Sequence, residues 1–215
     1  MTHAQRYAVV TADIIGSRQI KAFRKKRDEK LRPISALHLR QKLILSDYAV
    51  TAWDEFQAIL RSPAFLPRLL FDLRRQFYPM QLRIAVGIGK VSEPYKRPVN
   101  VFAGGPAFER ARHAAEQLKN GRNAKVRVWT AIESGNHMFD VIANTIYHLH
   151  DTLLQDISPR QWQAVSAQAV TGNQEATAVQ LRVNVSTISR TLRRAHYWQL
   201  EETRLALEEV IGGFF

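Results

Sequence analysis

Two aspartates stand at the ends of apolar segments, where a carboxylate could bind a metal ion. Asp13 follows the apolar run of residues 7–12, and Asp54 stands between two short alternating runs that predict a β-hairpin. Two carboxylates with a strand-end carbonyl, such as that of Ile14, are the oxygen ligands that Mg²⁺ or Mn²⁺ prefers. For each aspartate alone, a second interpretation stays open: a turn residue that accepts backbone hydrogen bonds.

The residues that follow Asp13 are candidates for binding a nucleotide or phosphate. Gly16 permits a tight turn of the backbone. The N–H groups of residues 15–17 could then face a phosphate. The candidate phosphate-binding residues are therefore Gly16, Ser17 and Arg18.

The apolar spacing nearer the C-terminus predicts a helix-turn-helix. Two short helices can pack across a tight turn when apolar side chains are spaced as they are at Ala178, Leu181, Val183, Ile188 and Leu192. Asn184 can cap the second helix. The side chains that we expect to face a DNA major groove are Val185, Ser186, Thr187, Ser189 and Arg190, and those expected near the DNA backbone are Arg193 and Arg194. The alternative is a plain helical hairpin that packs on the rest of the chain or mediates dimerisation.

Charge and cysteine content narrow the classes of partner. The net charge is +12, and residues 18–42 carry ten Lys or Arg against two acidic residues, a local balance of +8. Nucleic acid, an anionic nucleotide and a membrane surface all attract such a charge, and a solvated basic helix face is the plain alternative. The absence of cysteine excludes disulfides, thiolate zinc sites and a cysteine nucleophile. With no long apolar run and no signal-peptide pattern, we expect a soluble cytoplasmic protein that does not bind membranes.

The apolar runs predict an α+β protein. Strand and helix patterns follow each other in the order β-α-β-β-α-β-α-β. That order is typical of a ferredoxin-like βαββαβ sheet, covered on one face by helices, with an extra helix and strand. We expect the first helix within residues 20–45, entered at Pro33 after a mobile basic loop, and the last strand at residues 125–129.

A further helix and a domain boundary are expected after this sheet. The pattern of residues 136–155 predicts a helix whose packing face is Met138, Val141, Ile142, Ile146 and Leu149, with His148 and His150 at the surface. Ser158 followed by Pro159 marks the start of the next helix. We therefore expect an α+β domain over residues 1–156 and a small all-α helix-turn-helix domain over residues 157–215.

Four segments, in this order and spacing, resemble the catalytic core of the class III nucleotidyl cyclases. They are VTADIIGSR, WDEFQAIL, LRIAVGIGKV and GPAFERARHAAEQL. More closely, the whole chain resembles the SatD family of bacterial proteins, which combine a cyclase-like N-terminal domain with a C-terminal helix-turn-helix. Residues 178–192 resemble a pattern common in bacterial DNA-binding domains, A-x-x-L-G-V-S-x-S-T-V-S-R-x-L, with Arg182 in the usual turn-glycine position.

The cyclase resemblance implies a metal site but departs from the pattern that catalysis needs. Asp13 and Asp54 match the two metal-binding aspartates, and Ile14 matches the residue that offers its carbonyl. The Asn and Arg that stabilise the cyclase transition state are matched here by Glu109 and His113. Loss of a cation at developing phosphate charge costs several kcal/mol of barrier. The resemblance therefore implies Mg²⁺ or Mn²⁺ without implying cyclisation.

A third departure lies at the hairpin. Trp53 occupies the place of the usual cyclase hairpin glycine, where it could alter the turn or cover the site.

These features support three hypotheses. The first is a bacterial DNA-binding regulator of transcription, whose cyclase-like domain senses a nucleotide or metal or mediates a homodimer. The second is a metal-dependent nucleotide cyclase, or a related nucleotidyl-transfer enzyme, tethered to DNA. The third is a DNA-associated scaffold with a dead site. Glu109 and His113 favour the first over the second, and the expected partners are double-stranded DNA, a nucleotide and a second copy.

Overall fold

The computed structural model of the chain describes residues 5–92, 104–120 and 128–215. One five-stranded sheet is formed by Tyr7–Ile14 (β1), Ala49–Val50 (β2), Glu55–Leu60 (β3), Leu82–Gly89 (β4) and Thr130–Glu133 (β5). The α-helices of this part of the chain are Phe23–Arg40 (α1), Leu66–Phe77 (α2), Pro106–Asn120 (α3), His137–Gln155 (α4), Pro159–Thr171 (α5), Gln174–Leu181 (α6), Val185–Arg194 (α7) and Tyr197–Phe214 (α8). The expected α+β class is confirmed.

The sheet is built around β1. Its strand order is β2-β3-β1-β4-β5, with β1 antiparallel to both β3 and β4, and β5 parallel to β4. The apolar run YAVVTADI is buried along nearly its whole length because neighbouring strands flank it and helices cover both of its faces. β1 therefore carries Asp13 to the end of the sheet at which the tip of the β2–β3 hairpin also lies.

The helices lie on both faces of the sheet, so the expectation of one covered face is wrong. Side chains of α1, α2, α4 and α8 pack on the face that includes Ala8 and Val10. Ala107 and Ala111 of α3 pack on the opposite face, against Tyr7 and Val9. Small residues make this second layer possible, because β4 presents Gly87 directly beneath the backbone of α3.

The basic segment belongs to a helix, which corrects the expected loop. α1 runs from Phe23 through Pro33 to Arg40, and the proline lies inside the helix. The buried side chains include Phe23, Leu31 and Ile34, whose spacing continues across the proline. Packing of this stripe outweighs the missing proline N–H, because most of the stability of a protein helix comes from its buried face.

The expected last strand, residues 125–129, is tested only in part, because 125–127 lie outside the described residues. Residues 128 and 129 do not belong to a strand, and β5 begins at Thr130. The expected packing face of α4 is wrong. α4 buries Phe139, Ala143 and Tyr147, whereas much of the expected face is exposed, as at Met138, Val141, Ile142 and Leu149. The expected face and the buried face of α4 are both made of apolar residues at helical spacing. Only the tertiary contacts decide which of the two is buried.

His150 is half-buried, which corrects the expected surface position. Its Nδ1 is buried without a hydrogen-bond partner among the described residues. Burial, followed by the nearby Arg74 guanidinium, lowers the pKa of His150 to about 3. The imidazole is therefore neutral near pH 7.

The C-terminal helices begin at a capped boundary and return to the sheet. Ser158 accepts a hydrogen bond from the Gln161 backbone and completes a capping box at the start of α5. α5, α6, α7 and the start of α8 form a second core, whereas Leu207 and Ile211 of α8 lie in the core of the sheet. The division at residues 156–158 stays a prediction. Within the described ranges, no helix is both long and apolar enough to cross a membrane.

Candidate functional site

The hairpin tip lies beside the end of β1. Asp13 pairs with Glu55 in the β1–β3 ladder, and the Ile14 backbone N–H donates to the Asp54 carbonyl oxygen at 3.0 Å. This register is fixed by the buried apolar residues of the two strands, since a slip of one residue would reverse their faces. The sheet therefore holds Asp13 and Asp54 close together at one end of its strands.

All of the residues proposed for metal and phosphate binding line one open pocket of about 430 Å³. Its lining from this set is Asp13, Ile14, Gly16, Ser17, Arg18 and Asp54. Gly16 has a left-handed backbone with φ 69° and ψ 20°, and the chain turns there into a single 3-10 turn. The structure thus brings these residues together, while their binding roles stay predictions.

The carboxylates of the pocket stand close enough to interact. Burial, followed by the negative charge of Asp54, raises the pKa of Asp13, and Lys119 and Arg83 oppose this shift. The Arg83 Nη1 atom lies 3.3 Å from Oδ2 of Asp13. Ser17 Oγ donates to Oδ2 of Asp54 at 2.6 Å. A divalent cation would relieve the repulsion that remains between the two carboxylates, because it adds positive charge beside both of them.

The donor set suits a hard, oxygen-seeking ion. Asp13 and Asp54 offer carboxylate oxygens and Ile14 a strand-end carbonyl, and the open pocket leaves room for water or phosphate oxygens. In the described parts of the chain, no group of three or more His, Asp or Glu side chains could hold a metal ion. A bound Mg²⁺ or Mn²⁺ would therefore depend on these two carboxylates and on ligands from outside the chain.

Two cations of the pocket, Arg83 and Lys119, were missed by the sequence reasoning. Arg83 pairs with Asp13 across the β1–β4 ladder. Strand alternation in LRIAVGIG could have found it, because Leu82 and Ile84 are buried on the other face. Lys119 lies near the end of α3 and contacts Glu55 Oε2 at 3.3 Å. Only the unexpected second helical layer brings it to the site.

Trp53 does not line the pocket that the described residues form. Its ring stacks on Phe23, with 5.7 Å between centroids, and the Arg24 guanidinium lies 4.6 Å from the ring centroid. Arg27 also donates to the Trp53 carbonyl oxygen at 2.7 Å. The indole therefore fixes the hairpin tip to α1.

The two positions that replace the cyclase transition-state residues also lie outside this pocket as it is lined by the described residues. Glu109 is exposed on α3. His113 Nδ1 lies 2.5 Å from Oε2 of Glu133. The neighbouring Arg110 donates to the Ile88 carbonyl oxygen at 2.6 Å and packs against Gly135. The Arg110 guanidinium is therefore held by these backbone contacts and does not line the pocket of Asp13 and Asp54.

The segment predicted to form a helix-turn-helix consists of two helices, α6 and α7, joined by a short turn. α6 ends at Leu181, Arg182 adopts a left-handed conformation with φ 54°, and α7 begins at Val185. The turn is closed by a hydrogen bond of 3.0 Å from the Val183 N–H to the Ala178 carbonyl oxygen. Arginine thus takes the backbone conformation that the usual glycine would adopt, with some steric cost.

The side chains of α7 divide into a buried and an exposed set. Ile188 and Leu192 are buried in the second core. The proposed DNA-contacting side chains are exposed, apart from the half-buried Thr187, and they are Val185, Ser186, Ser189, Arg190, Arg193 and Arg194. Asn184 stands at the N-cap position, but its side chain makes no capping hydrogen bond, contrary to expectation. One face of α7 therefore presents hydroxyl and guanidinium groups to solvent.

Comparison with known proteins agrees with the resemblance of the chain to the SatD family. The model of the SatD family matches residues 7–190, which is more than half of the chain. No curated protein matches the chain. The matched range contains Asp13, Asp54 and the start of α7. On this match, the chain belongs to the SatD family.

Proposed function

We propose that the protein is a DNA-binding regulator of transcription in which α6 and α7 form a helix-turn-helix. The observation that carries the proposal is the pair of short helices with a buried contact and an exposed polar face on the second helix. In helix-turn-helix proteins, the N-terminal residues of the second helix contact base edges in the major groove. Ser186, Ser189 and Arg190 occupy that part of α7 and are exposed.

Arg190→Ala is expected to weaken binding to double-stranded DNA by about tenfold or more. A guanidinium at a base edge contributes about 1–3 kcal/mol of discrimination, and the removal of one at a phosphate lowers the salt dependence of binding by about one counterion. The measurement is fluorescence anisotropy of labelled duplexes, from selected sites and from random sequence, over a series of salt concentrations.

The control for this experiment is Arg112→Ala, which removes an exposed arginine from α3. We expect the control to keep wild-type affinity and salt slope. If Arg190→Ala binds selected and random DNA as the wild type does, with the same slope, the helix-turn-helix proposal is wrong.

The proposal assigns to the N-terminal domain a nucleotide- or metal-sensing role, or a role in a homodimer, within a ferredoxin-like, cyclase-like fold. Support comes from the strand order β2-β3-β1-β4, all antiparallel, with α1 and α2 on one face, as in a split βαβ sheet. The pocket at Asp13 and Asp54 also supports it. A homodimer suits an operator with two half-sites, because protein and operator symmetry match. Sedimentation equilibrium tests this part of the proposal.

Asp13→Asn is expected to abolish stabilisation of the protein by Mn²⁺ with a nucleoside triphosphate. The neutral amide removes one of the two charges that would hold the ion, and a ligand that binds only the folded state raises Tm by mass action. The measurement is a thermal-shift series with Mg²⁺ or Mn²⁺ and each of the four nucleoside triphosphates.

Asp156→Asn, at an exposed position after α4, is the control and should keep the wild-type shift. If the wild type shows no shift, or if Asp13→Asn keeps it, the sensing role is lost and only the dimer role remains for this domain.

A second function, metal-dependent nucleotidyl transfer, is favoured by the same pocket, which joins two carboxylates to the cations Arg83 and Lys119. The positions of Glu109 and His113 weigh against cyclisation, since they lie outside the pocket that the described residues line. Product analysis after incubation with Mn²⁺ and each nucleoside triphosphate separates the two functions. Cyclic or linear products that form with the wild type and not with Asp13→Asn would establish the enzyme. If no product forms, only the regulator function remains.

A further inference from the structure

α4 has a largely apolar face that no described part of the chain covers. The residues of this face are Met138, Ile142, Thr145, Leu149 and Thr152, and together they form the α4 stripe. All five are exposed, and the exposed fractions of Met138 and Leu149 are 66% and 67%. Folded proteins rarely leave several large apolar side chains exposed side by side, and such patches mark interaction surfaces. The α4 stripe is therefore a surface at which a partner can bind.

The spacing of the α4 stripe suits a second α-helix. Successive members are four, three, four and three residues apart. This alternation is the heptad spacing by which the side chains of two helices pack between one another. Thr145 stands at the midpoint, so it meets Thr145 of another copy whether the two α4 helices run parallel or antiparallel. The stripe is thus complementary to itself, as an interface between two-fold related copies must be.

The two hydroxyl groups of the α4 stripe can be buried without losing a hydrogen bond. Thr145 Oγ1 donates to the Val141 carbonyl oxygen at 2.8 Å, and Thr152 Oγ1 donates to the His148 carbonyl oxygen at 2.9 Å. A polar group that already has a partner inside the protein costs little free energy when water is removed from it. An apolar surface can therefore cover the stripe along its whole length.

The distribution of charge favours a second copy over other partners. Among the described α-helices, α4 alone contains no Lys, Arg or Glu, although the net charge of the chain is +12. A nucleic acid needs cations at its binding surface, and a helix that lies on a membrane carries Lys or Arg beside its apolar face. α4 offers neither. Two copies of a basic chain repel each other least where the facing residues are uncharged, as they are along the α4 stripe.

We propose that the α4 stripe is the interface of a homodimer. The inference rests on the homodimer role in the proposed function and names the surface that forms it. The stripe shares no residue with the Asp13 pocket, α6 or α7, so each copy keeps those surfaces free.

The size of the interface sets the expected affinity. α4 is about 28 Å long and, with its side chains, about 10 Å wide. Phe214 extends the surface at one end, because its exposed ring lies 5.3 Å from that of Phe139. This area is smaller than the roughly 800 Å² that each partner of a stable complex buries. We therefore expect a weak dimer with a Kd of about 10 µM.

Sedimentation equilibrium of the full chain, from about 1 to 100 µM, tests the interface. We expect the wild-type dimer to persist as salt is raised, because salt screens the repulsion between two basic copies and leaves apolar contacts intact. Leu149→Glu is expected to raise the Kd by about 50-fold or more, since it would bury a carboxylate without a partner. The matched control is Val170→Glu on α5, which places the same charge at a position with the same 67% exposure and should keep the wild-type Kd.

Cross-linking locates the interface independently. The chain has no cysteine, so Thr145→Cys supplies a single thiol in each copy. Each thiol adds across one double bond of a short bis-maleimide. This reagent should join two copies of the Thr145→Cys variant and should leave the Val170→Cys variant as single chains.

The outcomes separate this interface from the wider proposal. Circular dichroism checks that Leu149→Glu is folded, and Met138→Glu takes its place if it is not. A wild type that stays monomeric overturns both the interface and the homodimer role. A dimer that Leu149→Glu leaves unchanged, that Val170→Glu weakens equally, or that Thr145→Cys does not cross-link overturns the interface alone.

Discussion

Asp151→Ala is expected to lower the free energy of unfolding by about 3–5 kcal/mol. Asp151 is fully buried and accepts hydrogen bonds from Arg74 Nη2, from Thr130 Oγ1 and from the Trp129 backbone N–H, at 2.9 to 3.1 Å. The substitution leaves the Arg74 guanidinium, also buried, without its counter-charge. Urea unfolding followed by circular dichroism measures the loss.

Asp156→Ala provides the matched control, because this aspartate is exposed just after the end of the same helix. We expect a change within about 0.5 kcal/mol there. The double variant Arg74→Met with Asp151→Leu should recover much of the stability, since a buried ion pair can be replaced by apolar side chains of similar volume. A loss below about 1 kcal/mol for Asp151→Ala would contradict the buried pair.

Gly87→Ala is expected to lower the free energy of unfolding by about 3 kcal/mol or more. A Cβ at this position would lie 2.0 Å from the Ala107 carbonyl oxygen and 2.4 Å from the Ala111 nitrogen. Both are backbone atoms of α3, so no side-chain rotation relieves the overlap. The cost therefore lies at or above the upper end of ordinary overpacking. Because α3 also carries Lys119, we expect the substitution to weaken any metal-nucleotide stabilisation at Asp13.

Gly213→Ala is the control for this change. Gly213 lies in α8, and a Cβ there would meet no atom within 4 Å. Alanine is the better helix former, so stability should stay the same or rise slightly. Urea unfolding of both variants tests the contrast, and equal stabilities would show that α3 does not lie directly on β4.

Local pattern was sufficient for the elements whose burial is unambiguous. The runs at β1 and β4 and the apolar face of α2, which includes Leu66 and Leu73, lie where periodicity put them. The pattern gave the wrong prediction where the sequence was compatible with two different structures. α4 offers two apolar rows, and α1 contains Pro33, so the correct answer depended on partners distant in sequence.

Some residues of the candidate site could likewise be predicted from local pattern, and others depended on packing between distant segments. Asp13 and Asp54 follow from the register of neighbouring strands, which the split βαβ order implies. Arg83 needed only strand alternation, applied to the face of β4 opposite Leu82 and Ile84. Lys119 could not be predicted, because its place depends on α3 lying on the second face of the sheet, and that packing is permitted by the absent side chain at Gly87.

The return of α8 to the sheet has a consequence for synthesis on the ribosome. Leu207 and Ile211 complete the same core as Phe56 and Leu69, although they are translated after α6 and α7. Domains usually fold as units in the order in which they emerge. Here the core of the sheet stays unfinished until the proposed DNA-binding helices have been made. A nascent chain halted before residue 207 therefore exposes an apolar gap that chaperones or proteases can recognise.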